Sequence, residues 1–374
     1  MPTTVLESFA SALRSRAAEP ASGDETHRAA VLLADQRHCL ETASPIASEP
    51  VWSDSPVERA ADAALATRQT DRDDVHWASL THPGSVVWPI VSELGPAIGS
   101  SGPRRLAAAL TGYAAIAALA AALGPEHGAI YHSTATAGTV GAAAATAVLI
   151  DLPGDRWPHA LGHALSVLGG SRGAMLEYSG TRCFHSAHAI RTGIASTLAA
   201  ARGLDATTAD LDRRQGALAG LDPDRLTAGD HRALVESSLR VFPTSGWNQT
   251  AYEAALEAAN RVRGRIDAVI IRTPAAAPPA VAEAVAAAIV SADGHRSPAD
   301  LPALIELQPD AGVTAVRIDA AERSAESTVD VPLDHPRRPA AVAQLAVLKW
   351  HQAPAEAAER IARLTAQLAG EEIA

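Results

Sequence analysis

Apolar positions recur at the three-and-four spacing of helices over the first two-thirds of the chain, then switch to the alternation of strands. The spacing predicts helices over about 4–18 and 26–43, divided by the turn-rich EPASGDE. It predicts another over 57–69, after the Pro/Ser-rich segment PIASEPVWSDSP. From 86 to 204 follows a succession of small-residue helices, roughly 86–97, 103–123, 133–150, 156–169 and 186–202, punctuated by DLPGD and GGS. Shorter helical pieces lie at 208–219 and 228–239, and a longer one at 250–263.

The period changes at IDAVIIRT (266–273). This segment, ALIELQ (303–308), VTAVRIDA (313–320) and STVDVPL (327–333) alternate apolar with polar positions and are rich in β-branched residues. One helix, VAEAVAAAIVSA (281–292), lies among them, and the chain returns to helix at 339–353 and 355–369. The expected fold is therefore mainly α. A large all-helical domain, 1–246 plus 337–374, carries an inserted smaller α+β lid domain, 247–336, with a cleft between them. No internal repeat is visible.

Composition sharpens this picture. Hydrophobic residues make up 47% of the 374 residues but aromatics only 3%. Alanine, the best helix former, supplies much of the apolar content, so closely packed helices are expected. The formal charge of −11 and the lack of a basic block argue against a nucleic-acid partner. Lysine occurs once, at Lys349. The Ala-rich runs at 114–123 and 135–150 are too short for a membrane span, so no membrane partner is expected. The N-terminal stretch lacks a basic region followed by an apolar one, so no signal peptide is expected. Cys39 and Cys183 lie far apart without CxxC spacing and read as reduced thiols of a cytoplasmic protein.

Four polar constellations could carry chemistry. Asp71-Arg72-Asp73-Asp74-Val75-His76, followed by Thr81-His82-Pro83-Gly84-Ser85, runs into a helix start whose free N–H groups suit a carboxylate. The plain alternative is a solvated acidic loop with Ser85 as a cap. Tyr131-His132-Ser133-Thr134 opens a Gly/Ala-rich helix, where the dipole disfavours an imidazolium and keeps a neutral base available. The alternative is a polar cap with an incidental histidine. Thr181-Arg182-Cys183-Phe184-His185 precedes the helix carrying His188 and Arg191, and Arg182 could grip a carboxylate through two parallel hydrogen bonds or simply be exposed. The fourth, Arg240-Val241-Phe242-Pro243 through Asn248-Gln249, lies where the helical body meets the insert. His159 and His163, and His185 and His188, have helical spacing but no third ligand nearby, so no metal is expected. No glycine-rich phosphate loop is present, and no cofactor is expected.

Those stretches occur in a familiar order. DRDDVHWASLTHPGS, AIYHSTATAGTVGAAAAT, TRCFHSAHAIRTG, RVFPTSG and the closing VPLDHPRRP...LKW together resemble the superfamily of 2-methylcitrate dehydratase, cis-aconitate decarboxylase and iminodisuccinate epimerase (MmgE/PrpD), over about 70–352. The resemblance implies a helical domain with a smaller lid, a homodimer, and cofactor-independent elimination, decarboxylation or epimerisation of a small di- or tricarboxylate. It implies Asp71, His82 and His132 as catalytic acid and histidines, and Arg182 and Arg240 as cationic groups binding substrate, with His185 beside them.

The chain departs from that pattern at several points. Val75 stands where a threonine is usual, Arg182 and Arg240 where lysines are, and Gln249 where a histidine follows the hinge proline. The insert is abbreviated before 281, where a tyrosine is expected. Arginine binds carboxylates but cannot donate a proton near neutral pH, its pKa exceeding about 12. The first expectation is a carboxylate lyase of the 2-methylcitrate dehydratase type. The alternatives are a cofactor-independent epimerase or isomerase and an inactive family member acting as a binding protein. In each catalytic case His82 and His132, expected to face one another across the interdomain cleft, would move the protons.

Overall fold

The computed structural model describes residues 3–44, 55–177, 179–228, 232–273, 280–293, 301, 305–309, 314–321 and 323–371. Residues 45–54, most of the Pro/Ser-rich segment, lie outside the described residues, as do 274–279 in the abbreviated stretch before 281. The chain divides into two compact units, Met1–Leu239 with Gln352–Ala374, and Arg240–His351. The fold is mainly α with one small sheet.

The first unit is helical, and its first three helices start where the sequence supplies caps. Thr4 accepts from the Glu7 N–H, and the Glu7 carboxylate accepts from the Thr4 N–H at 2.8 Å. Ser22 and Glu25 repeat the arrangement at the head of Gly23–Thr42. Each such cap is worth about 1 kcal/mol. Ser55 Oγ accepts from the Glu58 N–H at the head of Pro56–Gln69, with proline in the first turn.

At the centre runs the helix Ser133–Leu149, buried at every position from Thr134 onward. It packs against Gly102–Ile130 and Thr181–Ala201. Small residues permit the approach. A Cβ on Gly193 would fall 2.4 Å from the Ala142 Cβ and 2.7 Å from the Ala143 backbone nitrogen, so only glycine fits this crossing.

Several helices differ from the expected bounds, and three of them do so for a clear local reason. Gly102–Ile130 continues past 123 through a break at Gly124 (φ 70°, ψ −175°) followed by Pro125. It is long and apolar enough to cross a membrane, but 89% of its most apolar stretch is buried inside the protein, as befits a core helix. The segment expected as one helix over 86–97 consists of Gly84–Pro89, a π-helical turn Ile90–Leu94, and Gly95–Ala97. Pro89 and Pro96, which have no N–H to donate, bracket that turn. Thr181–Ala201 begins five residues before its expected start at 186, so Arg182 and His185 sit on the helix rather than on a loop ahead of it.

The second unit holds a four-stranded sheet of β1 (Ile266–Thr273), β2 (Ile305–Pro309), β3 (Thr314–Ala320) and β4 (Ser324–Val329), in the order β2-β1-β3-β4. β1 and β2 pair in parallel, with the helix Val281–Asp293 between them in sequence. The other two pairings are antiparallel. Burial alternates strictly along β4, the period-2 signature of a sheet with one covered face. Gln249–Ala259 packs on Val281–Asp293, β3 and β4.

Candidate functional site

Three stretches of the first unit converge: the loop 70–83, the start of Ser133–Leu149, and the start of Thr181–Ala201. The helix Thr181–Ala201 packs on both Ser133–Leu149 and Pro56–Gln69, which brings the three together. Hydrogen bonds then tie them. The His82 N–H donates to Thr134 Oγ1 at 3.1 Å. Ser85 Oγ donates to the His82 carbonyl at 2.8 Å and lies 3.2 Å from Ser186 Oγ.

The loop is held by an acidic frame. Asp73 accepts two hydrogen bonds from Arg68 Nη1, at 2.9 and 2.8 Å, with both side chains almost wholly shielded from water. Asp74 is more deeply engaged. Its Oδ1 accepts from the Gly84 N–H at 2.8 Å, its Oδ2 lies 2.6 Å from the Tyr113 hydroxyl, and its carbonyl lies 2.7 Å from His82 Nδ1. Burial pushes the Asp74 carboxyl up to about 7, against the opposing hydrogen bond from Tyr113, and the nearby Asp73 charge adds to the rise. The Tyr113 hydroxyl is in turn pushed well above its usual range by burial and by Asp74. Gly84 is required by contact, since a Cβ there would stand 2.6 Å from Asp74 Oδ1 and 2.7 Å from Tyr113 Oη. The loop carries strain as well: Asp71 and Leu80 adopt left-handed backbone angles, φ 51° and 52°. Val75 is buried and pairs main chain to main chain with Ser238, which anchors the loop.

The histidines take defined states from these partners. A carbonyl oxygen only accepts, so His82 Nδ1 carries a hydrogen toward Asp74, and Nε2 is the basic nitrogen of the neutral ring. Asp73 Oδ2 lies 3.8 Å from the same Nδ1. His132 is the cap residue of Ser133–Leu149, with its N–H donating to the Gly170 carbonyl at 2.9 Å. Its Nδ1 lies 3.0 Å from His185 Nδ1. Its Nε2 is buried with no hydrogen-bond partner among the described residues. Burial holds the His132 imidazole well below its usual pKa, reinforced by the Arg68 guanidinium and by the neighbouring His82 and His185 rings; Asp73 opposes them. Burial also lowers His185, with His188 and Arg68 adding to the effect. His132 is therefore neutral in ordinary buffer.

The remaining expected residues are placed as follows. Arg182 is buried in the first turn of Thr181–Ala201, with Nη1 3.7 Å from Cys183 Sγ. Burial raises the Cys183 thiol, so it stays protonated; the Arg182 charge opposes this and Asp71 contributes to it. Asp71 is buried in the loop. Arg240 belongs to the second unit and is buried. Gln249, in that unit too, spends its amide on main chain: Oε1 accepts from the Phe242 N–H, and Nε2 donates to the Phe242 and Thr244 carbonyls. Both His82 and His132 lie in the first unit.

Residues beyond the expected set complete the arrangement. Arg68 lies inside a helix whose sequence, ATRQ, resembles an ordinary polar face. Tyr113 is an isolated aromatic in an alanine helix. Neither carries a local signal; only the paired acids Asp73 and Asp74 hinted at what they hold. Among the described residues no group of three or more His, Cys, Asp or Glu side chains is placed to hold a metal ion. A separate cavity of about 620 Å³, lined by Arg14, Arg104, Leu110, Val148, Trp157 and Leu368, includes none of the histidines in its wall.

The arrangement can abstract or deliver a proton at a buried neutral imidazole, beside positive charge able to stabilise an anion. Comparison with curated proteins found no match. The model of the MmgE/PrpD N-terminal domain matches residues 7–227, which is more than half of the chain and includes the loop, both helix starts and every histidine discussed above. The chain belongs to the MmgE/PrpD family.

Proposed function

We propose that the protein is a cofactor-independent lyase, of dehydratase or decarboxylase type, acting on a small di- or tricarboxylate through histidine acid/base chemistry. A carbon next to a carboxylate is a weak acid. Removing its proton needs a base in hydrogen-bond reach and stabilisation of the charge that builds on the carboxylate. The observation that carries this reading is His132 Nε2, a buried nitrogen without a partner on a ring that its surroundings keep neutral. His82, with Nε2 basic, is the second proton carrier. Arg182 and Arg240 bind carboxylate, Asp71 supports the loop that presents His82, and the working form is a homodimer in the cytoplasm.

One observation favours a second reading, an epimerase or isomerase. Elimination of hydroxide calls for polar groups to assist the leaving oxygen. Val75 has none, and the Gln249 amide is already occupied by the main chain at 242 and 244. Incubation with a panel of di- and tricarboxylates in deuterated water separates these readings. A lyase incorporates deuterium and forms alkene or releases carbon dioxide; an epimerase incorporates deuterium and only inverts the carbon. A protein that exchanges no proton on any of them is a binding member, and the catalytic proposal falls.

A further inference from the structure

His132 and His185 come from different helix starts, yet their rings meet nitrogen to nitrogen. The Nδ1 atoms are 3.0 Å apart, the ring centroids 5.2 Å apart and the planes tilted by 40°. Both residues are 6% exposed. The contact is well supported: the His132 N–H is held by Gly170, its carbonyl accepts from the Ala135 and Thr136 N–H groups, and His185 sits in the first turns of a 21-residue helix. Nothing in the substrate-binding role expected for His185 explains why it should face another imidazole.

A hydrogen bond between two nitrogens needs one N–H and one lone pair. Two neutral rings satisfy it in only two ways. Either His132 donates from Nδ1 and leaves a lone pair on Nε2, or His185 donates and His132 Nε2 keeps its hydrogen. Two imidazolium rings cannot make the bond at all, because both nitrogens would donate and two like charges would stand about 3 Å apart. We propose that His185 is a positioning residue for His132, that its Nδ1 sets which His132 nitrogen meets the substrate, and that the two rings take up one proton as a unit.

The proton balance is simple. A proton leaving carbon forms a new N–H at His132 Nε2, while the C–H electron pair stays on the substrate. His132, now cationic, holds Nδ1–H toward His185, and that proton can pass to His185 Nδ1. The charge then rests on His185 and His132 is neutral again, with hydrogen on Nε2. Reversing the shift returns the proton to product. Other charged and titratable groups act on the pair: Arg68 from Pro56–Gln69, Asp73 and His82 from the loop, and His188 one turn along from His185. The Arg68 guanidinium makes two hydrogen bonds to Asp73.

This inference rests on the reading of His132 as a proton carrier, but the pair can be tested without a substrate. The full chain is labelled with 15N-histidine and its ring nitrogens are observed by NMR near pH 7. His132→Gln and His185→Asn each remove one ring's signals and so assign the pair. A scalar coupling across the hydrogen bond between the two Nδ1 atoms, with one of them protonated, is the expected result. Absence of that coupling in the unaltered protein overturns the proposal whatever the activity. The positioning role is read in His185→Leu, which fills the space without a hydrogen bond, and in His185→Asn, whose amide can still pair with Nδ1. His132 should relax to a mixture of tautomers in the leucine variant and keep one in the asparagine variant. With an exchanging carboxylate, kcat for deuterium exchange should fall about tenfold or more in His185→Leu, with smaller loss in His185→Asn and little change in KM. Equal kcat in all three proteins overturns the positioning role. If no carboxylate exchanges while the coupling is present, the lyase reading fails and the paired histidines stand.

Discussion

Tyr113 and Asp74 meet at 2.6 Å in the interior of the helical unit, 39 residues apart in sequence, and neither reaches water. The tyrosine hydroxyl, or the acid's own proton, occupies that link. Because burial raises the Asp74 carboxyl to about 7 from its ordinary value of 3.8, the native state keeps a proton there that the unfolded chain gives up. Below about 3.8 both states hold it and the contribution is complete. As pH rises from 4 to 7 the native state binds more protons than the unfolded one, so stability falls, by at most on the order of 4 kcal/mol. Asp74→Asn should remove that slope. Urea unfolding at pH 5 and pH 7.5 checks it, and parallel losses in the two proteins would show that Asp74 is ionised throughout.

His82→Gln and His132→Gln should each lower exchange of the substrate's α-proton by at least about 10²-fold while leaving the fold intact, the lower range for a positioned acid or base. The His132 imidazole is held below its usual 6.5, so it stays neutral as pH falls through that value. The acidic limb of the rate profile should therefore lie below 6.5. A limb at or above 6.5 that disappears in His132→Gln would contradict the depressed value.

Breaking the Arg68–Asp73 pair should cost far more than a surface ion pair. Removing one partner leaves the other charge buried without its main counter-charge, which costs about 3–5 kcal/mol. Arg68→Met and Asp73→Asn should each lower the midpoint of thermal unfolding by several degrees. The double variant should recover part of the loss, because neither charge is then stranded. A double variant no better than the worse single one would mean the pair does not act as a unit.

Gly84→Ala adds a single methyl group against Asp74 and Tyr113. Overpacking of this kind costs about 1–3 kcal/mol. It should also displace the turn that carries His82, so the variant should lose proton exchange out of proportion to its stability. A variant with reduced stability and normal exchange would separate Gly84 from the placement of His82.

The homodimer proposed from the family should give twice the chain mass in light scattering at micromolar concentration. A monomer mass under those conditions would count against it.

The sequence announces its elements better than its contacts. Alternation places β1 at 266–273, as found, because β-branched residues on a half-covered face leave a clear period. β4 starts earlier than expected, at Ser324, because SAES presents only a small apolar residue, Ala325, to the covered face. Thr181–Ala201 starts early for a related reason: its cap is Gly180, with no side-chain hydrogen bond to mark the turn. At the site, His132 is legible as a helix-start histidine, and that is where it stands. The partner on its Nδ1 is not legible, since His185 is 53 residues away and only the packing of two helices joins them. Arg68 is hidden in the same way, as one charge on a helix until Asp73 folds back onto it.

The crossing at Gly193 has a consequence for how this unit tolerates change. In a core built from leucine and phenylalanine, truncation opens a void, and loss is the dangerous direction. Here two helices approach so closely that their backbones are the surfaces in contact, with Ala142, Ala143 and Thr139 standing against a bare Cα. There is little side chain to lose and no room to gain any. Variation in this interior is one-sided: Ala142→Gly should be borne at the cost of about 1 kcal/mol of helix propensity, whereas Gly193→Val must push one whole helix away from the other. Because the displaced helix carries Arg182 and His185 at its head, the damage would arrive at the imidazole pair, well away from the added methyl groups.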